Sequence, residues 1–271
     1  ILAYSLSQLQ LWLSYRRNTR QKAARPEYPA LQNYPFVTVQ LPLYNEYYVV
    51  DRLLEAVAAF DYPKDRFEIQ VLDDSTDETV NLVKAKAQQL QQQGLQCWHI
   101  RRASREGYKA GALQYGLQLA RGEFIAIFDA DFLPEPHFLT ATLPVFQEPD
   151  VGLVQTCWQH LNADYSIFTK AQALALDNHF RIEQEGRHLA GYFLNFNGTA
   201  GLWRKATIED AGGWHYDTLT EDLDLSYRAQ LRNWQFRYRK DVGSPAELPA
   251  ELNAIKSQQF RWTKGVAETA L

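Results

Sequence analysis

The chain has 271 residues, 46% of them hydrophobic and 22% charged, with a formal net charge of −4 at neutral pH. This composition excludes a disordered or fibrous chain and suits one large globular domain or two small ones. Lysine and arginine are interspersed with acids instead of forming a basic stripe, which argues against a nucleic-acid partner. The opening ILAYSLSQLQLWL, residues 1–13, is apolar with a few polar breaks. As a helix it covers about 20 Å, short of the ~30 Å hydrocarbon layer of a membrane. Two readings stand for residues 1–20: a membrane-proximal amphipathic helix, or the tail of a truncated transmembrane helix. In the second, Arg16, Arg17, Arg20 and Lys22 lie on the cytosolic side, as the positive-inside bias predicts. The chain starts at Ile1 and contains no methionine, so a piece of a longer protein is expected.

Residues 21–35 are rich in proline and polar groups and read as a linker. From residue 36 onward strands and helices alternate. FVTVQLPL (36–43) is a near-continuous apolar run of the kind found in buried parallel strands, and helical spacing follows over 47–60. FEIQVLDD (67–74) is the next strand, and Ser75 or Thr76 is placed to cap a helix over 77–93. LQCWHIRR is a third strand, 107–121 a third helix, and EFIAIFDAD (123–131) a fourth strand. This order predicts a doubly wound sheet with right-handed crossovers, whose ligands lie beyond the carboxyl ends of the strands. In the second half, 151–158 is strand-like, 164–189 helical, 195–204 broken by glycine and then strand-like, 220–233 helical, 235–242 a strand, and 249 to the end a helix. Cys97 and Cys157 lie in apolar runs without metal-type spacing and are expected to be reduced, buried thiols.

Three acidic clusters coincide with element ends: Asp73–Asp74 closes the second strand, Asp129-Ala-Asp131 the fourth, and Glu221–Asp222 opens a helix behind Thr220. Each alone reads equally well as helix capping. Together they predict carboxylates converging on one crevice, an arrangement that needs a cation or donor groups to be tolerable. Hard oxygen ligands at Asp129 and Asp131 suit Mg²⁺ or Mn²⁺ shared with substrate phosphates. Tyr44, in LPLYNE, offers a ring on which a base can stack. Lys109, in REGYKAGAL, sits in the first turn of a helix where a diphosphate can bind. The first strand lacks G-x-G-x-x-G, which lowers the case for a dinucleotide oxidoreductase. In SQQFRWTKG (257–265), helical spacing puts Gln258, Arg261 and Trp262 on one face. That face carries an amide, a guanidinium and an indole where a core-facing stripe would be apolar.

With PLYNE, DDSTD, REGYKAGAL, DAD, FNGTAG, TED and QQFRW in this order, the chain resembles the processive family 2 glycosyltransferases of the cellulose synthase-like type. It is most similar to the branch that makes β-1,4-mannan, glucomannan or glucan backbones. The resemblance covers roughly residues 36–265. It implies a GT-A fold, a Rossmann-like mixed α/β sheet flanked by helices, with 36–135 as the nucleotide-binding half and 136–271 as the acceptor half. By position, Tyr44, Glu46, Asp73, Asp74, Lys109 and Asp129 are implied donor and nucleotide contacts, and Asp129 with Asp131 the metal pair. Asp222 is implied as catalytic base, and Glu221, Gln258, Arg261 and Trp262 as the acceptor and diphosphate face. The implied reaction is an inverting hexosyl transfer from UDP-glucose or GDP-mannose to a growing β-linked polysaccharide, with Mg²⁺ or Mn²⁺. The implied location is the cytosolic face of a membrane, reached through segments flanking this domain. Two other readings remain: a lipid-directed, ceramide-type glycosyltransferase, and a catalytically silent subunit that binds nucleotide sugar.

Overall fold

The computed structural model describes residues 2–20 and 28–269. The first part of the expected linker, 21–27, and Lys22 within it lie outside the described residues. A seven-stranded sheet in the order β3-β2-β1-β4-β6-β5-β7 organises the chain. Its strands are β1 (Val37–Leu43), β2 (Phe67–Asp73), β3 (Gln96–Ile100), β4 (Phe124–Ile127), β5 (Val151–His160), β6 (Gly201–Arg204) and β7 (Gln235–Ala246). The first four are parallel, β6 runs antiparallel to both β4 and β5, and β7 is parallel to β5. Every residue of β2 and β4 is buried, as expected of strands covered on both faces.

Helices cover the two faces of the sheet. On one side α2 (Val50–Ala58), α3 (Thr79–Gln92) and α5 (Phe138–Thr142) bury Leu53, Leu54, Val57, Val83, Leu90, Phe138 and Leu139 against the parallel strands. In α2 the buried positions are Val50, Leu53, Leu54 and Val57, the i, i+3, i+4, i+7 stripe of an amphipathic helix. On the other side lie α4 (Tyr108–Leu119), α8 (Lys205–Asp210) and α9 (Glu221–Leu231), packed around Leu113, Trp203, Ile208, Trp214 and Leu225. The two cysteines are free and buried.

Several expectations on element boundaries need correction. The helix expected over 164–189 is α6 (Ile167–Asn178), a π-turn over His179–Gln184 and α7 (Glu185–Ala190). Neither Ser75 nor Thr76 caps α3: Ser75 Oγ accepts from Asn45 N–H at 2.9 Å, and Asp77 Oδ1 takes the Thr79 amide instead. The last strand runs on to Ala246 through a bulge. The N-terminal helix α1 spans Leu2–Arg20 and lies against α7, with Leu11 buried and Gln10 Nε2 donating to the Tyr192 hydroxyl at 2.7 Å. Among the described residues no helix is long and apolar enough to cross a membrane.

One proline decides where the sheet opens. The Gln40 carbonyl accepts from the Phe128 amide, whereas the Leu43 carbonyl accepts from Asp74. Alternation along the strand therefore points residue 42 toward β4. Pro42 has no N–H for that next rung, and β1–β4 pairing stops at Gln40 and Ile127. Beyond that point the two chains part. Their continuations, Tyr44–Glu46 and Asp129–Asp131, border the crevice where the strand order switches direction.

At the opposite end of the strands, buried Glu68 accepts from Thr38 Oγ1 (2.8 Å), Arg121 N–H (2.9 Å), Arg121 Nε (2.8 Å) and Trp98 Nε1 (3.2 Å). Glu68→Ala strands these donors, and a loss of roughly 2–3 kcal/mol is expected, seen as a lower denaturant midpoint at unchanged m-value.

Candidate active site

Lys109 enters the crevice from the first turn of α4. Its Nζ lies 2.5 Å from Asp129 Oδ1 and donates to the Gly198 carbonyl at 2.9 Å. Burial opposes its charge, but Asp129, Glu221 and Asp222 together hold the ammonium above its ordinary value. A Cβ placed on Gly198 would come within 3.1 Å of Asp222 Oδ2 and 3.5 Å of Lys109 Nζ. Gly198 has φ +78°, so a side chain here would be excluded by conformation as well as by space. Three regions far apart in sequence thus meet at one lysine.

The carboxylates around it outnumber the cations. Asp131 is pushed up to about 7 by burial and by Asp129, against the pull of Lys109. Glu46 is raised by burial and by the charges of Asp129 and Asp77. Asp222 is pushed up to about 7 by burial and by Glu221, and Glu221 is itself raised by burial against Lys109 and Arg261. An acidic set this crowded is the chemistry that a hard divalent cation relieves. Among the described residues no three His, Cys, Asp or Glu side chains are grouped to hold a metal by themselves. The paired carboxylates of Asp129 and Asp131 are of the type that suits Mg²⁺ or Mn²⁺ where one or two carboxylates share the ion with phosphates.

Backbone anchors hold these groups in place. Thr199 Oγ1 accepts from the Asp129 amide (2.9 Å), and the Ala200 amide donates to the Ile127 carbonyl (2.8 Å), which clamps the 195–200 loop onto the end of β4. The same loop is tied to α9. Phe196 N–H donates to Ser226 Oγ (2.9 Å), Leu194 N–H to Gln230 Oε1 (2.9 Å), and Ser226 Oγ in turn to the Asp222 carbonyl (2.6 Å). From below, buried Gln155 accepts from Asn197 N–H and donates to the Thr199 and Ala200 carbonyls. Ser226, Gln230 and Gln155 escape notice in the sequence, where a hydroxyl or amide inside a regular element carries no signal.

At the nucleotide end, Arg105 stacks on the Tyr44 ring with Cζ 3.2 Å from its centroid. One face of the ring expected to receive a base is thus covered by an arginine. Arg105 lies inside REGYK, yet nothing in its spacing reveals the stacking. Asp73 is wholly buried, accepting from Ser75 N–H (2.8 Å) and bonded to His99 Nε2 (2.7 Å). Burial works against these contacts, but they keep its carboxyl below the ordinary value. Asp74 holds Arg102 through two contacts of 2.9 and 2.6 Å, and Arg102 also donates to the Glu106 and Tyr108 carbonyls. Through Arg102, Asp74 thus organises the loop that leads to Lys109, and both carboxylates are engaged by the protein.

The expected stripe on the last helix is present. In α10 (Leu252–Thr269) Gln258 and Trp262 are half-buried and Arg261 is exposed but close enough to lower Glu221. The stripe continues one turn on to Gly265, the buried residue of this helix, which rests on Thr220. Thr220 Oγ1 bonds Thr269 Oγ1 at 3.0 Å, and Leu219 N–H donates to Glu268 at 3.0 Å. The helix bearing Arg261 and Trp262 is therefore docked onto the residue that precedes Glu221 and Asp222.

The family model for glycosyltransferase-like family 2 matches residues 35–265. The chain is 44% identical over 240 residues to glucomannan 4-beta-mannosyltransferase 2 of Arabidopsis thaliana, a match that covers 87% of this chain and 45% of the relative. It is also 44% identical over 241 residues to glucomannan 4-beta-mannosyltransferase 1 of Cyamopsis tetragonoloba, covering 87% of this chain and 46% of the relative. The chain thus spans less than half the length of these relatives. Among solved structures, the mannosyltransferase PcManGT of Pyrobaculum calidifontis, in complex with GDP-Man and Mn²⁺, superposes with a TM-score of 0.76 at 23% identity. That match covers 99% of this chain and 73% of the neighbour. The fold is of the GT-A type that the motifs imply.

Two outcomes follow from this geometry. The folded protein retains the Asp222 proton up to about pH 7, whereas an unfolded carboxyl releases it near pH 4. Folding therefore takes up a proton in this window, and the Asp222 contribution to stability falls as pH rises across it. Asp222→Asn should melt above wild type at pH 8 and close to it at pH 4, by differential scanning fluorimetry. In Gly265→Ala the new Cβ would lie 2.4 Å from Thr220 Cγ2 and 2.9 Å from its amide nitrogen. Alanine favours a helix over glycine by about 1 kcal/mol. Here, however, no gain in melting temperature is expected by the same measurement, because the helix must move off Thr220 to make room.

Proposed function

The chain belongs to the family 2 glycosyltransferases, and from that membership we propose that it moves mannose from GDP-mannose onto a growing β-1,4-linked glycan with inversion at the anomeric carbon. The observation that carries the reading is the meeting of Lys109, Asp129, Gly198 and Asp222 in one crevice, in a chain 44% identical to glucomannan mannosyltransferases. The GDP-Man and Mn²⁺ held by a structural neighbour support this nucleotide and this class of metal.

In this mechanism Tyr44, Glu46 and the Asp73–Asp74 pair border the nucleotide, and Asp74 keeps the loop from residue 102 to 108 in shape beside it. Asp129 and Asp131 would hold Mn²⁺ or Mg²⁺, and the bound ion would offset charge on the donor diphosphate. Lys109 and Arg261 face the same diphosphate, and their fixed positive charge stabilises the leaving nucleotide without reorganisation. Asp222 accepts the proton of the acceptor hydroxyl as its oxygen bonds to the anomeric carbon and the bond to the diphosphate breaks. Its affinity for protons suits this role, since a base that titrates near neutrality takes a proton readily in the transition state. Glu221 and Gln258 border the acceptor side. Trp262 supplies a flat apolar surface for a sugar ring. A polysaccharide acceptor and a place at the cytosolic face of a membrane complete the reading. The latter is supported by the exposed Leu6, Leu9 and Leu13 of α1 beside Arg16 and Arg17.

The test is donor depletion by the membrane-embedded full-length protein, comparing GDP-mannose with UDP-glucose in Mn²⁺. GDP-mannose should be consumed with a mannose polymer as product. Asp222→Asn should lose roughly 10²–10⁴-fold in turnover while still binding donor. UDP-glucose consumption alone, or a single-sugar lipid product, would overturn the assignment.

A further inference from the structure

The Gly198 carbonyl that receives Lys109 belongs to the most deformable residue in its loop, so something must hold the loop on either side of it. On the C-terminal side, Thr199 is bonded to Asp129. On the N-terminal side, the Asn197 side chain reaches out of the loop to the π-turn. His179 Nε2 lies 3.0 Å from Asn197 Oδ1, and His179 Nδ1 lies 3.1 Å from Glu183 Oε2. Asn197 Nδ2 donates to the Asn195 carbonyl at 3.2 Å, which sets the amide with its oxygen toward the ring. Both ring nitrogens therefore face oxygen atoms, one on Asn197 and one on Glu183.

The support behind His179 is rigid. Phe180 is buried and stacks on Trp158 with centroids 4.7 Å apart, and its ring meets His179 edge to face. The Arg181 carbonyl accepts from Lys240 Nζ at 3.1 Å. Burial would raise Glu183, but the hydrogen bond and charge of His179, with Arg187, hold its carboxyl down at about 2. Glu183 thus stays a firm acceptor. A π-turn widens the helix by one residue and re-aims the side chains around it, and here it directs an imidazole at the loop beside the catalytic lysine.

We propose that His179, oriented by Glu183, is a positioning residue: it holds Asn197 so that the Gly198 carbonyl fixes Lys109 between Asp129 and Asp222. It touches neither donor nor acceptor and acts through the loop. The effect on turnover rests on the transferase reading given above. The effect on loop order does not.

Two substitutions separate its two contacts. Glutamine places an N–H where Nε2 stands and can keep the bond to Asn197. Asparagine places one nearer Nδ1 and can keep only the bond to Glu183. Hydrogen–deuterium exchange on the full-length protein should show faster exchange over residues 195–200 in His179→Asn and near-wild-type exchange in His179→Gln. Donor turnover should fall roughly 10–100-fold in His179→Asn, mainly in kcat with little change in KM or melting temperature, and recover most of its value in His179→Gln. Asn197→Ala should match His179→Asn, and the double variant should be no worse than either single change, the sign of a shared contact. Unchanged exchange in His179→Asn, equal losses in both variants, or additive losses with Asn197→Ala would overturn the proposal. Should wild type transfer no sugar from either donor, the transferase reading fails, and the exchange result still decides the role of His179.

Discussion

The site depends on the attraction between one ammonium group and the carboxylates gathered around it. Lys109 pairs with Asp129 and feels Glu221 and Asp222, while Asp131 and Glu46 add negative charge from the strand ends. Like charges at these separations in a partly desolvated crevice raise one another's proton affinity. A single lysine does not balance them. The crevice is thus an acidic site of the kind that a hard divalent cation relieves. The same imbalance leaves Asp222 with a raised affinity for protons, a property suited to a base.

Holding such a cluster open requires a framework that does not collapse onto it. Pro42 ends the β1–β4 ladder and lets the strand ends separate. Strand β6, antiparallel to β4, delivers the 195–200 loop to the same edge from the opposite direction. The loop is then bonded to β4, β5, α9 and the π-turn by side chains with no catalytic chemistry of their own. On the other flank Asp73 is held by His99 and Ser75, and Asp74 orders the chain that leads into α4 through Arg102. Much of the polar chemistry around the crevice is therefore positional, and only a few groups project into the space itself.

The last helix shows how a packing face continues into a stripe of polar and aromatic groups. Gln258, Arg261, Trp262, Gly265 and Thr269 follow one another at helical spacing. The lower members dock onto Thr220, and the upper ones extend toward the acids behind it. Glycine at 265 lets the helix lie close against Thr220, with the Arg261 guanidinium near enough to lower Glu221. The docking contact thus sets the distance at which the other residues work.

The alternation of apolar runs and helical stripes was enough to place the doubly wound half of the sheet, since burial on both faces demands those periodicities. The order of the motifs, from the acidic pairs through Lys109 to the Gln258–Trp262 stripe, carried the resemblance to family 2 glycosyltransferases, which the family match over residues 35–265 bears out. The sequence alone did not reveal the early end of the β1–β4 ladder, the antiparallel entry of β6, the π-turn at His179, the stacking of Arg105 on Tyr44, or the engagement of Asp73 and Asp74 by protein partners. Most of these rest on contacts between residues distant along the chain, decided by competition among packing arrangements. Periodicity reports which face of an element is buried; only the folded chain determines what is buried against it and how far apart the charges come to rest.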